Sequence, residues 1–363
     1  METIRVLIAD DSSTARLMLR RLLTADPQIE VIGAAANGRL ALQQLASNVP
    51  DVVLLDVDMP ELDGLATLKE LRRTHPKLPV IMFSRLTQRG TSETIEALLL
   101  GADECVLKPD TSEGLQDCVS NVLLPRIRAL AGCSARSDGR VTRRTTAPAV
   151  PLEAAKPSLA TPSATLPLAH ESVDIIAIAA STGGPAALSE LLTGIADRLT
   201  VPVVVVQHMP SNFTGALAER LAIKTRLDVR EATDLAPLDS ARIWIAPGNH
   251  HLVLERTASG IRTRLNQNPP ENECRPAADV LFRSVAQLFG PRALAIVLTG
   301  MGQDGLAGCR SVRARGGRIL VQDEVTSAVW GMPGQVAKAG LADAILPVEQ
   351  IGREITQLLM KRR

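Results

Sequence analysis

Residues 4–11 read Ile4-Arg5-Val6-Leu7-Ile8-Ala9-Asp10-Asp11, a mostly apolar run stopped by two adjacent carboxylates. A run this short, rich in Ile, Val and Leu, is the pattern of a strand buried on both faces. Working outward, the pattern recurs at Val31 to Ala34, Val52 to Leu55, Val80 to Phe83 and Glu104 to Leu107, with helix-period stretches between. Strands alternating with helices predict a parallel sheet covered on both faces, in which chemistry collects at the carboxyl ends of the strands. The residues at those ends are Asp10, Asp11, Asp56, Ser84 and Lys108. Three convergent carboxylates make a hard, oxygen-rich site suited to Mg²⁺. Asp56 is then a candidate phosphoryl acceptor, with Ser84 placed to hydrogen-bond the phosphoryl group and Lys108 to pair with its charge.

The C-terminal half alternates in the same way, with strands expected at Ile175 to Ala179, Val203 to Gln207, Ala241 to Ala246, Leu294 to Thr299 and Ile319 to Gln322. A second α/β domain follows. Its polar loops begin at Ser181-Thr182-Gly183-Gly184-Pro185, at His208-Met209-Pro210 and at Gly300-Met301-Gly302-Gln303-Asp304-Gly305. Ser181, His208 and Asp304 each fall just past a strand and supply a nucleophile, a base and an orienting carboxylate. The chain order Ser, His, Asp differs from that of α/β-hydrolases, and Ala179 stands where a nucleophile elbow has glycine. Gly300 to Gly305 also matches G-x-G-x-x-G, with Asp323 and Glu324 about 20 residues on, so a nucleotide-binding protein is an alternative. Against it, Asp304 sets a negative charge in the loop that would cradle a pyrophosphate. A non-catalytic adaptor using the same surfaces is a second alternative. His250 and His251 fall in a Pro-Gly-Asn turn and read as loop residues rather than ligands.

Between the halves, residues 125–170 hold six prolines, many Ala, Ser and Thr, and no aromatic residue, which reads as a linker. As a random coil its ends would stand roughly 35 to 40 Å apart. The organisation expected is therefore one domain at 1–124, the linker at 125–170 and a second domain at 171–363. The 363-residue length suits two domains. Charge is segregated: 12 basic against 18 acidic residues in 1–124, 7 against 2 in 125–170, and 21 against 19 in 171–363. An acidic first domain and a near-neutral second one argue against nucleic-acid binding. Aromatic residues are scarce (four Phe, two Trp, no Tyr), which also removes base-stacking platforms. Five dispersed cysteines without a Cys-x-x-Cys pair suggest reduced thiols, and with no apolar run of membrane-spanning length or signal-peptide pattern a cytoplasmic location is expected.

Residues 1–124 resemble a response-regulator receiver domain, through Asp10-Asp11, Asp56-Val57-Asp58-Met59-Pro60 with Asp63-Gly64, Ser84, and Lys108-Pro109. The resemblance implies a flavodoxin-like fold with strand order 2-1-3-4-5, phosphorylation at Asp56, and Mg²⁺ held by Asp10, Asp11, Asp56 and the backbone carbonyl of Asp58. One departure is Cys105, three residues before Lys108, where the family usually carries an aromatic switch residue. Residues 173–350 resemble the catalytic domain of the chemotaxis protein-glutamate methylesterase/protein-glutamine glutaminase family. The matching stretches are Ser181 to Pro185, Gln207 to Pro210 with Phe213-Thr214, Ala246 to Asn249, Arg275-Pro276 with Asp279 to Phe282, Thr299 to Gly305, and Trp330 to Gly334. Ala179 replaces a common glycine and Cys274 a common histidine.

That second resemblance implies a Rossmann-like domain with a Ser181, His208, Asp304 triad, Thr182 beside the nucleophile, and the Met301 N–H in the oxyanion site. It implies a phosphorylation-activated serine esterase acting on glutamate methyl esters of chemoreceptors, with deamidation of receptor glutamines as a companion activity. A chemotaxis histidine kinase would be the phosphoryl donor, and neither a cofactor for the ester chemistry nor membrane insertion is implied.

Overall fold

The computed structural model describes residues 3–85, 88–109, 111–137 and 172–360. Five strands, β1 Ile4–Ala9, β2 Ile29–Ala35, β3 Val52–Leu55, β4 Val80–Ser84 and β5 Glu104–Leu107, form one parallel sheet in the order β2-β1-β3-β4-β5. The apolar runs of β1, β3 and β4 are buried because helices cover both faces. Three of the crossover helices are started by side-chain caps, from Ser12, Asn37 and Asp63. Ser12 accepts from the Ala15 N–H and Asp63 from the Ala66 N–H, satisfying donors that a helix start leaves free. Gly64 opens the helix Gly64–Thr74 for a steric reason: a Cβ there would lie 2.0 Å from the Asp56 carbonyl oxygen. The Asp63-Gly64 pair thus lets that helix start directly against the strand end carrying Asp56.

The described residues of the second domain form nine strands: β6 Ile175–Ala180, β7 Val203–Gln207, β8 Asp228–Glu231, β9 Arg242–Ile245, β10 His251–Thr257, β11 Gly260–Asn266, β12 Ala293–Val297, β13 Arg318–Gln322 and β14 Ala344–Leu346. Seven of them form a parallel sheet, β14-β13-β12-β6-β7-β9-β8. Both domains are therefore the doubly wound α/β units expected, with one addition, the antiparallel hairpin β10–β11. Two edge strands add to those expected: β8, Asp228 to Glu231, is mostly charged, and β14, Ala344 to Leu346, is only three residues long, so neither presents the buried apolar run of a central strand. All six residues of β6 are buried, and β6 lies between β7 and β12. The chain winds outward from β6 in both directions, so the loops after β6, β7 and β12 stand side by side at the switch point, where this architecture places ligands.

The expected linker begins too early. Residues 124–137 are helical, continuing from a π-helical turn at Val119–Leu123, and Ile127, Leu130 and Ala131 are buried in the first domain's core beside Val119 and Leu123. Their three- and four-residue spacing gives the helix an apolar face that segment-wide composition conceals. The rest of the expected linker, 138–171, lies outside the described residues. The two domains touch. The helix Gln88–Leu99 packs against helices Gly184–Ile195 and Ser211–Thr225, and one buried apolar cluster runs across the boundary. Among the described residues no helix is long and apolar enough to cross a membrane.

Candidate active site

At the carboxyl edge of the first sheet, Asp10 and Asp56 are buried and Asp11 is exposed, and carboxylate oxygens of the three lie within 4.8 Å of one another. Lys108 Nζ reaches across from the end of β5, 2.8 Å from Asp10 Oδ2 and in a still closer ion pair with Asp56. Asp56 Oδ1 accepts the Val57 N–H at 2.8 Å. Burial raises Asp56 to about 6, with the Asp10 charge adding to the rise, against the lowering effect of Lys108 and of the Val57 N–H. Ser84 is buried at the end of β4, and Asp58 is exposed in the following loop. The expected set is thus assembled on one edge, and its all-oxygen donors fit a small hard cation such as Mg²⁺.

At the switch point of the second sheet, His208 Nε2 lies 2.8 Å from Asp304 Oδ2. Asp304 is buried at the mouth of the helix Ala278–Phe289, where it accepts N–H bonds from Ala278 at 2.6 Å and Asp279 at 3.0 Å. It also takes the Gly305 N–H and the Asn272 side-chain amide, each at 3.0 Å. Desolvation would raise this carboxyl, but the His208 contact and the helix N–H groups outweigh it, and Asp304 is held below the usual carboxylate range. For His208, burial alone would lower the pKa. The hydrogen bond to Asp304 and the Cys274 sulfur, 3.7 Å from Nδ1, instead raise it to about 9. Ser181 follows β6, its backbone held by the Thr299 carbonyl and the Gln207 side-chain amide. Ser181 packs so closely on Gly300 that a Cβ at 300 would lie 2.7 Å from its own Cβ. Ser181 and His208 line one crevice, and Met301 lies exposed just beyond Gly300.

The first domain closes this crevice. Glu104 and Cys105 of β5 line it, and what remains is 20 Å³, room for about one water. Thr182, next to Ser181, donates its hydroxyl proton to Glu104 Oε2 at 2.6 Å, and the Gly183 N–H bonds the Asp103 carbonyl at 2.7 Å. Glu104 also pairs with Arg126 at 3.4 Å. Farther out, Arg220 donates to Ser92 Oγ at 2.6 Å.

Several of these residues are absent from the sequence reading. Glu104 carries a signal in hindsight, a charge opening an otherwise apolar strand. Asn272, which donates to both Asp279 and Asp304, sits in a loop with no pattern to mark it. His251 is a buried structural residue, its Nε2 3.1 Å from the Pro269 carbonyl and its Nδ1 accepting the Ala277 N–H. The nucleotide alternative loses its cradle. At the start of the helix Leu306–Ala314, the Gly305 N–H is bonded to Asp304 and the Gly308 N–H to Asp279, so carboxylates already occupy donors that a phosphate would need.

Comparison with known proteins agrees with this architecture. The family model described as CheB methylesterase matches residues 176–355, and that of the response regulator receiver domain matches 6–120. A protein-glutamate methylesterase/protein-glutamine glutaminase of Trichodesmium erythraeum is 46% identical over 358 residues, covering 98% of this chain and 99% of that protein. One from a Nocardioides strain is 46% identical over 369 residues, covering 100% and 97%. Among solved structures, the Thermotoga maritima CheB methylesterase catalytic domain aligns with a TM-score of 0.50 at 36% identity, covering 52% of this chain and all of that one. With two domain models matched in order and relatives of this identity along nearly its whole length, the chain belongs to the protein-glutamate methylesterase/protein-glutamine glutaminase family of response regulators.

Proposed function

We propose that this chain is a phosphorylation-controlled serine esterase that hydrolyses glutamate 5-methyl esters on chemoreceptors and deamidates receptor glutamines by the same acyl transfer. The observation that carries the reading is His208, held through Nε2 by the buried Asp304 at 2.8 Å and lining the same crevice as Ser181. In this arrangement Nδ1 takes the proton of the Ser181 hydroxyl as the oxygen attacks the ester carbonyl. Asp304 fixes the ring and stabilises the imidazolium. The oxyanion is received by backbone N–H groups of the glycine-rich loops, with that of Met301 the first candidate, and Thr182 flanks the nucleophile. Methanol leaves with the proton returned by His208, or ammonia leaves when the substrate is a glutamine amide, and water then hydrolyses the acyl-enzyme.

Regulation rests on the docked receiver. A methylated glutamate side chain does not fit a 20 Å³ crevice, so the two domains must separate before the substrate enters. Asp56 is the proposed phosphoryl acceptor, with a chemotaxis histidine kinase as donor. Mg²⁺ held by Asp10, Asp11, Asp56 and the Asp58 carbonyl would neutralise phosphoryl oxygens. Lys108, released from Asp56, would pair with the new charge, and Ser84 would donate its hydroxyl to it, shifting the loops next to β5. The division proposed is a receiver over 1–124, extended by its helix to 137, and a catalytic domain over 171–363. The deciding experiment is Ser181→Ala, assayed for methanol release from a methylated receptor. The expected result is complete loss of turnover in a protein with unchanged circular dichroism, and normal turnover would exclude an acyl-enzyme on Ser181.

A further inference from the structure

The sulfur of Cys274 is 3.7 Å from His208 Nδ1. Zn–S and Zn–N bonds of about 2.3 and 2.0–2.1 Å at a tetrahedral angle set the two donors about 3.5–3.6 Å apart. The observed separation is close to that span. The other ring nitrogen faces Asp304 at 2.8 Å, so the carboxylate accepts the Nε2–H and Nδ1 is the nitrogen beside the sulfur. A carboxylate behind a ligating histidine is how protein zinc sites orient the ring. Donor atoms of His208, Cys274 and Asp304 all lie within 4.8 Å of one another.

The backbone fixes the sulfur as well. Residues 271–274 form a tight turn closed by reciprocal bonds, Glu271 N–H to Cys274 carbonyl at 3.1 Å and Cys274 N–H to Glu271 carbonyl at 2.9 Å. Asn272 and Glu273 between them are left-handed, with φ of 50° and 62°, and Asn272 ties the turn to Asp304. One carboxylate therefore anchors both the imidazole and the loop that presents the thiol. Cys274 and His208 are partly exposed, so solvent reaches them with the receiver in place.

We propose that Cys274 Sγ and His208 Nδ1 form a binding site for a borderline-soft divalent cation, of which zinc is the type, and that occupancy reversibly switches off the esterase. On binding, the Cys274 thiol and the protonated His208 each release a proton to solvent, and the thiolate and the neutral imidazole take two positions on the metal, with water in the others. Thiolate and imidazole donors select zinc over magnesium or calcium. The metal occupies the lone pair that Ser181 needs, so inhibition follows from the function proposed above, whereas binding does not depend on it.

The test titrates the full chain with Co²⁺, whose bond to a thiolate gives a charge-transfer absorption, and separately measures esterase rates with and without Zn²⁺. One equivalent of cobalt should produce the band in the native chain and in Cys105→Ala, and none in Cys274→Ala. If the site binds zinc at about micromolar Kd, free zinc at about ten times that value leaves roughly a tenth of the sites open and lowers the rate about tenfold. For each variant the readout is the ratio of rates with and without the metal. Cys274→Ala should hold that ratio near one, and Cys274→His should restore the tenfold inhibition without the thiolate band. A band that survives Cys274→Ala, or no band in the native chain, overturns the site. Full zinc inhibition of Cys274→Ala overturns the switch. A band lost in Cys274→Ala from a chain without esterase activity would keep the site and refute the function instead.

Discussion

Removing the carboxylate of Glu104 should turn on the unphosphorylated enzyme. Its Oε2 accepts the Thr182 hydroxyl at 2.6 Å, and its side chain is only 18% exposed, so this is a charge-assisted hydrogen bond across a largely dry boundary. Bonds of this kind contribute about 1.5–3 kcal/mol. That figure applies to the docked state alone, because after separation both groups are hydrated. Glu104→Ala therefore shifts the docked-to-open equilibrium by a factor of about 10 to 150. While the open fraction is small, the basal rate rises in proportion. Arg126 loses a partner as well, but it is one-third exposed and rehydrates at little cost. The assay is methanol release from methylated receptor without phosphodonor, in an Asp56→Asn background so that adventitious phosphorylation cannot contribute. The rate should climb at least tenfold and approach that of the phosphorylated native chain. A folded Glu104→Ala protein whose basal rate stays within about twofold of its parent would show that the hydrogen bond does not hold the domains together, against the energy range used here.

Asp304→Asn should cut turnover by about 10⁴, the serine-protease precedent, because an amide neither stabilises the imidazolium nor fixes its tautomer; near-normal kcat would remove Asp304 from the mechanism. His208, raised to about 9 against the effect of burial, is mostly protonated at neutral pH. The unphosphorylated enzyme's initial rate should thus rise about tenfold per unit between pH 7 and 8 and level off above 9, whereas a flat profile would mean that His208 is already neutral. Asp56 is raised from 3.8 to about 6, so its ionisation opposes folding: the penalty is absent below the unfolded value and full above pH 6. Without divalent cation, Asp56→Asn should stabilise the receiver by about 3 kcal/mol at pH 7.5 and about 1.5 kcal/mol at pH 5, measured by urea unfolding; equal gains at both pH values would sink the linkage.

The strand ends were the legible part of this molecule. Apolar runs stopping at Asp10, Asp56, Ser84 and Lys108 announce their positions because a strand buried on both faces carries few polar side chains until its carboxyl end. The same holds for Ser181 and His208 after β6 and β7. The helix over 124–137 was lost because its face is made by a few residues, Ile127, Leu130 and Ala131, while proline and small polar residues farther on dominate the composition of the segment. Hairpin β10–β11 is hard to read from the sequence although Gly260 marks its turn, since Glu255, Arg256, Arg262 and Arg264 interrupt the apolar pattern. The bond from Thr182 to Glu104 was out of reach for a different reason. It joins residues 78 apart on separate domains, and no local pattern encodes how two finished surfaces meet.

Strand β6 has its partners β7 and β12 on opposite sides, and His208 and Asp304, which meet above it, are 96 residues apart in the chain. No fragment that folds early can hold this chemistry. A nascent chain carries Ser181 and His208 well before β12 and the loop after it emerge, and until that strand inserts beside β6 the imidazole has neither its carboxylate nor its fixed tautomer. On the mechanism proposed above, activity would appear only after that insertion, and methanol release during refolding would time the entry of β12 into the sheet.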